Sequence, residues 1–139
     1  MRQATDILRV ATTGRGWVDI TGKIVSRIAE TGIKTGILTL FCRHTSASLL
    51  IQENADPAVL ADLEAWLERA APEDPARYRH DAEGPDDMPA HIRAALTATS
   101  LAIPVIGSGL ALGTWQGIYL IEHRRSPHRR EVALHLIGE

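Results

Sequence analysis

Alternating apolar and polar runs that come in pairs, with helical periodicity confined to short stretches between them, constrain this chain more than any other feature. Residues 3–13 and 17–20 are two such runs about Gly14-Arg15-Gly16, where glycine tolerates the positive φ a reversal needs. Thr35–Cys42 alternates Ile37, Thr39 and Phe41 with Leu38, Leu40 and Cys42, which predicts a strand covered on both faces. Thr45–Ile51 continues as another strand after a break at His44. Further on, Leu101–Ile106, Leu110–Gly113, Gly117–Glu122 and Val132–Ile137 read as strands, parted by a Gly107-Ser108-Gly109 hairpin turn and by Ser126-Pro127. Between these pairs, Thr21 offers an N-cap oxygen to a helix that carries Ile24, Val25 and Ile28 on one face and stops at Gly32. Asp56-Pro57 opens a second helix with Val59, Leu60, Leu63 and Leu67 at helical spacing, and Pro89, at N1, opens a third whose apolar face is Ile92, Ala95 and Leu96. The order ββαββαβββ, with two or three helices, predicts an α+β domain with an antiparallel-rich sheet, single over 1–139. No G-x-G-x-x-G runs from a strand into a helix and no G-x-x-x-x-G-K-[ST] occurs, which excludes the wound nucleotide-binding folds.

Composition excludes several function classes. Fifteen Lys+Arg against seventeen Asp+Glu leave a net charge of -2, the wrong balance for wholesale nucleic-acid binding. No apolar stretch approaches the ~20 residues of a membrane helix, and the opening MRQATDILRV has no apolar run before a cleavage site, so a cytoplasmic address is expected. A lone cysteine builds no disulfide framework; Cys42 reads as a buried strand thiol. Only Lys23 and Lys34 are lysines, and the remaining positive charge is Arg, the planar donor suited to carboxylate and phosphate.

The residues that carry chemistry cluster at element boundaries. His44, His80 and His91 sit there, and neutral imidazole with carboxylate is what Zn²⁺ takes up, commonly with three protein ligands and one open position. Asp81, Glu83, Asp86 and Asp87 lie between His80 and His91 in the one long polar stretch, Pro72–Pro89, a carboxylate set of the kind that holds Mg²⁺ beside substrate phosphates. Gly84-Pro85 and Met88-Pro89 restrict that loop and lower the entropy cost of ordering its acids. A solvated acidic loop is the plain alternative, with Asp87 a helix N-cap. Arg124, Arg125, Arg129 and Arg130 flank Ser126-Pro127-His128 as a basic turn, Trp115-Gln116-Gly117 suits a bulge open to a ligand, and Trp66 reads as core or interface.

Several strings then carry a resemblance. They are His44-Thr45-Ser46-Ala47-Ser48-Leu49, Gln52-Glu53-Asn54-Ala55-Asp56-Pro57, Tyr78-Arg79-His80, and Glu83-Gly84-Pro85-Asp86-Asp87-Met88-Pro89-Ala90-His91-Ile92. Leu112-Gly113-Thr114-Trp115-Gln116-Gly117-Ile118 and Glu122-His123-Arg124 complete the set. Together, and in this order, they resemble the YjbQ family, described as secondary thiamine-phosphate synthases. The resemblance implies a two-sheet β-sandwich with two or three helices, assembled as a homotrimer with sites near subunit boundaries. It also implies a low-level transfer that joins a hydroxymethylpyrimidine diphosphate to a thiazole phosphate and releases pyrophosphate. On that reading His44, His91 and Asp87 are catalytic, and Thr45, Ser46, Asn54, Trp115, Gln116 and Arg124 bind substrate. His44, His80, His91, Glu83 and Asp86 are the candidate ligands of Mg²⁺ or Zn²⁺. This chain has Pro85-Asp86-Asp87-Met88-Pro89 where most members carry an asparagine and closer spacing, which leaves either Asp86 or Asp87 for the family position. Two other readings use the same residues: a metal-dependent hydrolase of a small phosphorylated compound, and a non-catalytic trimeric module that binds a phosphorylated metabolite.

Overall fold

The structure is a computed structural model that describes residues 1–139. Its elements are β1 (Arg2–Ala11), β2 (Gly16–Asp19), α1 (Thr21–Thr31), β3 (Gly36–Cys42), β4 (Ala47–Glu53), α2 (Pro57–Ala70), a single 3-10 turn (Pro75–Arg77), α3 (Asp87–Leu96), β5 (Ser100–Ile106), β6 (Gly109–Leu110), β7 (Gln116–Glu122) and β8 (Arg129–Gly138). The strands form two antiparallel sheets, one ordered β1-β8-β3-β5-β6 and the other β2-β7-β4. The result is an α+β fold with three helices. None of the helices is long and apolar enough to cross a membrane.

Period-two patterning decides which face each strand turns inward. Leu38, Leu40 and Cys42 of β3, Leu8 and Val10 of β1, and Val132, Leu134 and Leu136 of β8 are buried in one cluster with Leu49, Ile118 and Leu120 of the smaller sheet and Ile24 and Ile28 of α1. Helices α2 and α3 pack against β4, on the three-stranded sheet. Ile37 and Phe41 are about half exposed, so β3 is covered on one face only; alternating hydrophobicity on both sides had suggested two.

Local chemistry accounts for most boundaries. Asp56 Oδ1 accepts from the Ala58 N–H at 2.9 Å and Pro57 follows, which starts α2 as expected. Gly32 ends α1 at φ 71°, and Gly107-Ser108, both at positive φ, form the two-residue loop of the β5–β6 hairpin. Thr21 is not a cap. Its hydroxyl instead accepts the Ile118 N–H at 2.8 Å and ties α1 to β7. The Gly14 reversal joins strands of different sheets at φ 124°, and a Cβ there would lie 2.5 Å from the Arg125 carbonyl oxygen. Of the stretch 110–113 only Leu110 pairs as a strand, together with Gly109 before it.

α3 departs most from expectation. It begins at Asp87 with Asp86 at the N-cap position, so Pro89 lies in its first turn, where its missing N–H would be free anyway. Asp87, Pro89, Ala90 and Arg93 are buried, while Ala95 and Leu96 are exposed. Two charged residues, Asp87 and Arg93, thus sit among the buried positions where an apolar stripe was expected.

Candidate functional site

Asp87 and His91 stand four residues apart on α3 and therefore share a helix face. His80 reaches the same place from the preceding loop. Its Nε2 lies 2.6 Å from Asp87 Oδ2, and His91 Nε2 lies 3.0 Å from that same oxygen. The ligand atoms of His80, Asp87 and His91 all fall within 4.8 Å of one another.

Hydrogen-bond roles sharpen the reading. His91 Nδ1 is 2.9 Å from the Thr45 carbonyl, which can only accept, so Nδ1 carries the proton. In the neutral ring Nε2 is then a bare lone pair aimed at a carboxylate. Two acceptors at 3.0 Å need a proton or a cation between them. An imidazole anchored by its second nitrogen to a backbone carbonyl is the usual support of a metal-ligating histidine. Arg124 supplies the remaining support: Nη1 donates to Asp87 Oδ1 at 2.6 Å, Nε to Asp86 Oδ2 at 3.0 Å, and Nη2 to the Glu83 carbonyl at 3.0 Å. Burial raises the Asp87 carboxyl, but the His80 hydrogen bond and the neighbouring His91 ring and Arg124 guanidinium together outweigh it and hold the group below its ordinary range.

An open cavity of about 910 Å³ adjoins this cluster, with His91 in its wall. Arg43, His44, Thr45, Ser46 and Arg130 line its polar side and Phe41 its apolar side. His44 Nε2 accepts the Glu131 N–H at 2.7 Å, which leaves the ring proton on Nδ1. Burial and then the charge of Arg130 push its pKa down, so the ring is neutral at pH 7. Arg130 reaches the Ser46 hydroxyl at 2.9 Å from a base fixed by Glu122: Nε to Oε1 at 2.9 Å and Nη2 to Oε2 at 2.5 Å. Glu122 is fully buried and also accepts from the Thr12 hydroxyl at 2.7 Å and the Arg124 N–H at 3.1 Å. One carboxylate thereby anchors both the cavity arginine and the backbone of the arginine behind Asp87.

The residues expected at a site therefore divide. His80, Asp87 and His91 converge, with Arg124 behind them; His44, Thr45 and Ser46 line the cavity alongside. His44 does not join the ligand group, because its Nε2 is taken by Glu131. Asp86 is withdrawn too, its Oδ2 accepting from Arg124 and from the Arg125 N–H at 3.0 Å. Glu83 is exposed and outside the three-residue cluster. Asn54, Trp115 and Gln116 lie elsewhere in the chain. Asn54 N–H bonds the Trp115 carbonyl at 2.9 Å, and Gln116 accepts from the Gly113 N–H, at the end of β7 opposite Glu122, roughly 20 Å along the strand. Arg130, expected in an exposed basic turn, and Glu122, marked only by its place in a resembling string, are instead the buried pair beneath the cavity, and Arg130 shares one inward face with Val132, Leu134 and Leu136 by simple alternation.

The combination of two antiparallel sheets, three helices and a two-histidine, one-aspartate cluster at the start of a helix defines a small α+β class with a candidate metal centre. The chain belongs to the UPF0047 YjbQ-like family, whose model matches residues 6–139. It is 55% identical over 138 residues to a UPF0047 protein of Synechocystis sp., covering 99% of this chain and 94% of that one. It is 41% identical to the UPF0047 protein YjbQ of Escherichia coli O157:H7, with 95% and 96% covered. Among solved structures, a YjbQ/UPF0047-family protein of Clostridium acetobutylicum superposes with a TM-score of 0.87 at 35% identity, covering 95% of this chain and 99% of that one.

Proposed function

We propose that the protein is a divalent-metal-dependent enzyme acting on a small phosphorylated compound, with His80, Asp87 and His91 as ligands and the adjoining cavity as substrate site. The observation that carries this is the His91 ring, fixed by Thr45 with its free nitrogen facing Asp87 Oδ2 at 3.0 Å. Two imidazoles and one carboxylate suit Zn²⁺ or a similar transition ion better than Mg²⁺, which prefers an all-oxygen shell. Such an ion supplies a bound water of lowered pKa, which favours hydrolysis of a phosphate ester. The chain's own residues do the remaining work. Arg130 and Arg43 attract the phosphate, the His44 Nδ1–H and Ser46 hydroxyl donate to its oxygens, and Arg124 keeps Asp87 ionised and in place.

A second reading is favoured by the size of the cavity. About 910 Å³ admits two ring compounds at once, as condensation of a hydroxymethylpyrimidine diphosphate with a thiazole phosphate requires. The same cationic wall then neutralises departing pyrophosphate, giving thiamine-phosphate synthase activity. A binding module without turnover is the outcome if neither product forms. Assembly as a homotrimer belongs to this proposal, since Asn54, Trp115 and Gln116 do not line the cavity beside His91 and half-exposed Ile37 and Phe41 leave an apolar face open. A cytoplasmic address is supported by the free, buried Cys42, at home in a reducing compartment.

The test is metal analysis of protein purified without chelator, followed by phosphate release from phosphomonoesters and thiamine-phosphate formation from the two precursors. Near-stoichiometric zinc lost in His91→Ala and Asp87→Asn, with phosphate release lost in parallel, is the expected result. Full turnover in a folded, metal-free Asp87→Asn protein would end the metal reading.

A further inference from the structure

The connection between α2 and α3 carries the one ligand of the cluster that is not on a helix, and it is anchored at its two ends. At the first, Glu73 Oε1 accepts from Arg15 Nη2 at 2.6 Å and Oε2 from Arg125 Nη2. At the second, the Glu83 carbonyl and the Asp86 carboxylate accept from Arg124. Between these anchors, over residues 74–82, no residue is buried. Side-chain hydrogen bonds there are local. Asp74 Oδ1 accepts from the Ala76 N–H at 3.3 Å, Arg77 Nε donates to Asp74 Oδ2 at 3.2 Å, and the Tyr78 hydroxyl donates to the Pro72 carbonyl at 2.7 Å. The one bond that reaches another element runs from His80 Nε2 to Asp87 Oδ2 at 2.6 Å, and the same ring meets His91 edge-on with centroids 5.4 Å apart.

The other two ligands are held rigidly. Arg124 clamps Asp87, and the Thr45 carbonyl fixes His91. Beneath them, α3 is tied down by Arg93 Nη1 to Glu64 Oε1 at 2.5 Å. A relay adds to this: Thr97 donates to the Arg93 carbonyl at 2.9 Å, so Ser48 donates to Thr97 at 2.5 Å and His123 Nε2 donates to Ser48 at 2.8 Å. His80 is different, its side chain 42% exposed against 2% for Asp87. Ordering each residue of a loop costs about as much as one hydrogen bond returns, so a single exposed tether leaves 74–82 among the most easily opened parts of the molecule. A bond from His80 to a metal ion is stronger and exists only in the closed arrangement, so the ion favours closure by mass action. None of residues 74–82 lines the cavity beside His91, so closure leaves the substrate's route open.

We infer that residues 74–82 form a flap latched by the metal ion: Asp87 and His91 hold the ion on a fixed helix, and His80 closes over it and swings away to release it. This flap presupposes the metal reading and gives the ion a door of its own, apart from the substrate cavity. Limited trypsinolysis of the full chain tests it, because Arg77 and Arg79 are exposed on the flap. Cleavage follows the open population, so protein stripped with chelator should be cut there at least about tenfold faster than protein in saturating zinc, with cleavage elsewhere unchanged. Inorganic phosphate, a probe of the cavity, should leave the rate as it was. Glu73→Gln frees one anchor and should speed cleavage of the stripped protein, and in His80→Ala saturating zinc should give no protection. Zinc that binds the wild type by dye competition without slowing cleavage at Arg77 and Arg79, or that protects His80→Ala equally, would overturn the flap and leave the metal reading standing. A wild-type protein that takes up no zinc would remove both.

Discussion

Replacing Glu122 by Gln tests the electrostatic frame beneath the cavity most directly. Four donors converge on the two carboxylate oxygens: the Thr12 hydroxyl, the Arg124 N–H, and Nε and Nη2 of Arg130. Glutamine keeps one acceptor oxygen and sets an NH₂ against the remaining donors, so Arg130 is left buried with part of its charge uncompensated. Breaking one side of a buried ion pair costs about 3–5 kcal/mol, a large share of the ~5–15 kcal/mol that keeps such a domain folded. The pH dependence has a definite sign. Burial raises the Glu122 carboxyl, yet the hydrogen bonds from Arg130, Thr12 and the Arg124 backbone outweigh it, and the folded value lies below the ordinary 4.5. Its contribution is therefore complete above the unfolded pKa and is lost as pH falls through the folded one. Urea unfolding of both proteins at pH 7 and again near pH 3 should show a gap that closes on acidification. An equal gap at both pH values, or one under ~1 kcal/mol at pH 7, would refute the reasoning.

Arg124→Gln should weaken metal affinity by about 10–100-fold, read by competition with a chelating dye, since it frees both Asp87 and Asp86. Ser48→Ala removes the acceptor of the His123 Nε2–H and should cost about 1–3 kcal/mol in denaturant unfolding. Gly14→Ala places a Cβ 2.5 Å from the Arg125 carbonyl at φ 124° and should destabilise by about 2 kcal/mol or more, measured by the same assay. His44 should titrate below 6.5 and carry its proton on Nδ1 at pH 7, visible in ¹⁵N-resolved imidazole spectra.

Most strand positions were legible because alternation has a period of two and burial follows it, as in Val132, Leu134 and Leu136, although β3 buries one face where two were expected. β4 shows the limit. Its Thr45 and Ser46 look like strand residues, yet the chain is still turning there and strand pairing begins at Ala47. α3 was misread because helix periodicity is sought in apolar residues, whereas this helix packs through Asp87 and Arg93, whose burial depends on distant partners. The same reason divides the site. His80, Asp87 and His91 are close in sequence and their meeting could be foreseen, with His91 and Asp87 one turn apart. Arg130 and Glu122 meet Ser46 and Thr12 across separations that no local pattern records.

The hydrogen bond from His91 to the Thr45 carbonyl joins two neighbouring functions mechanically. Thr45 lies in the β3–β4 connection that also forms one wall of the cavity. On the proposed metal reading, a guest that displaced this connection would turn the imidazole as well, and occupancy on one side would be transmitted to the coordination geometry on the other. Spectra of a cobalt-substituted protein would register that tug before any bond in the guest is broken.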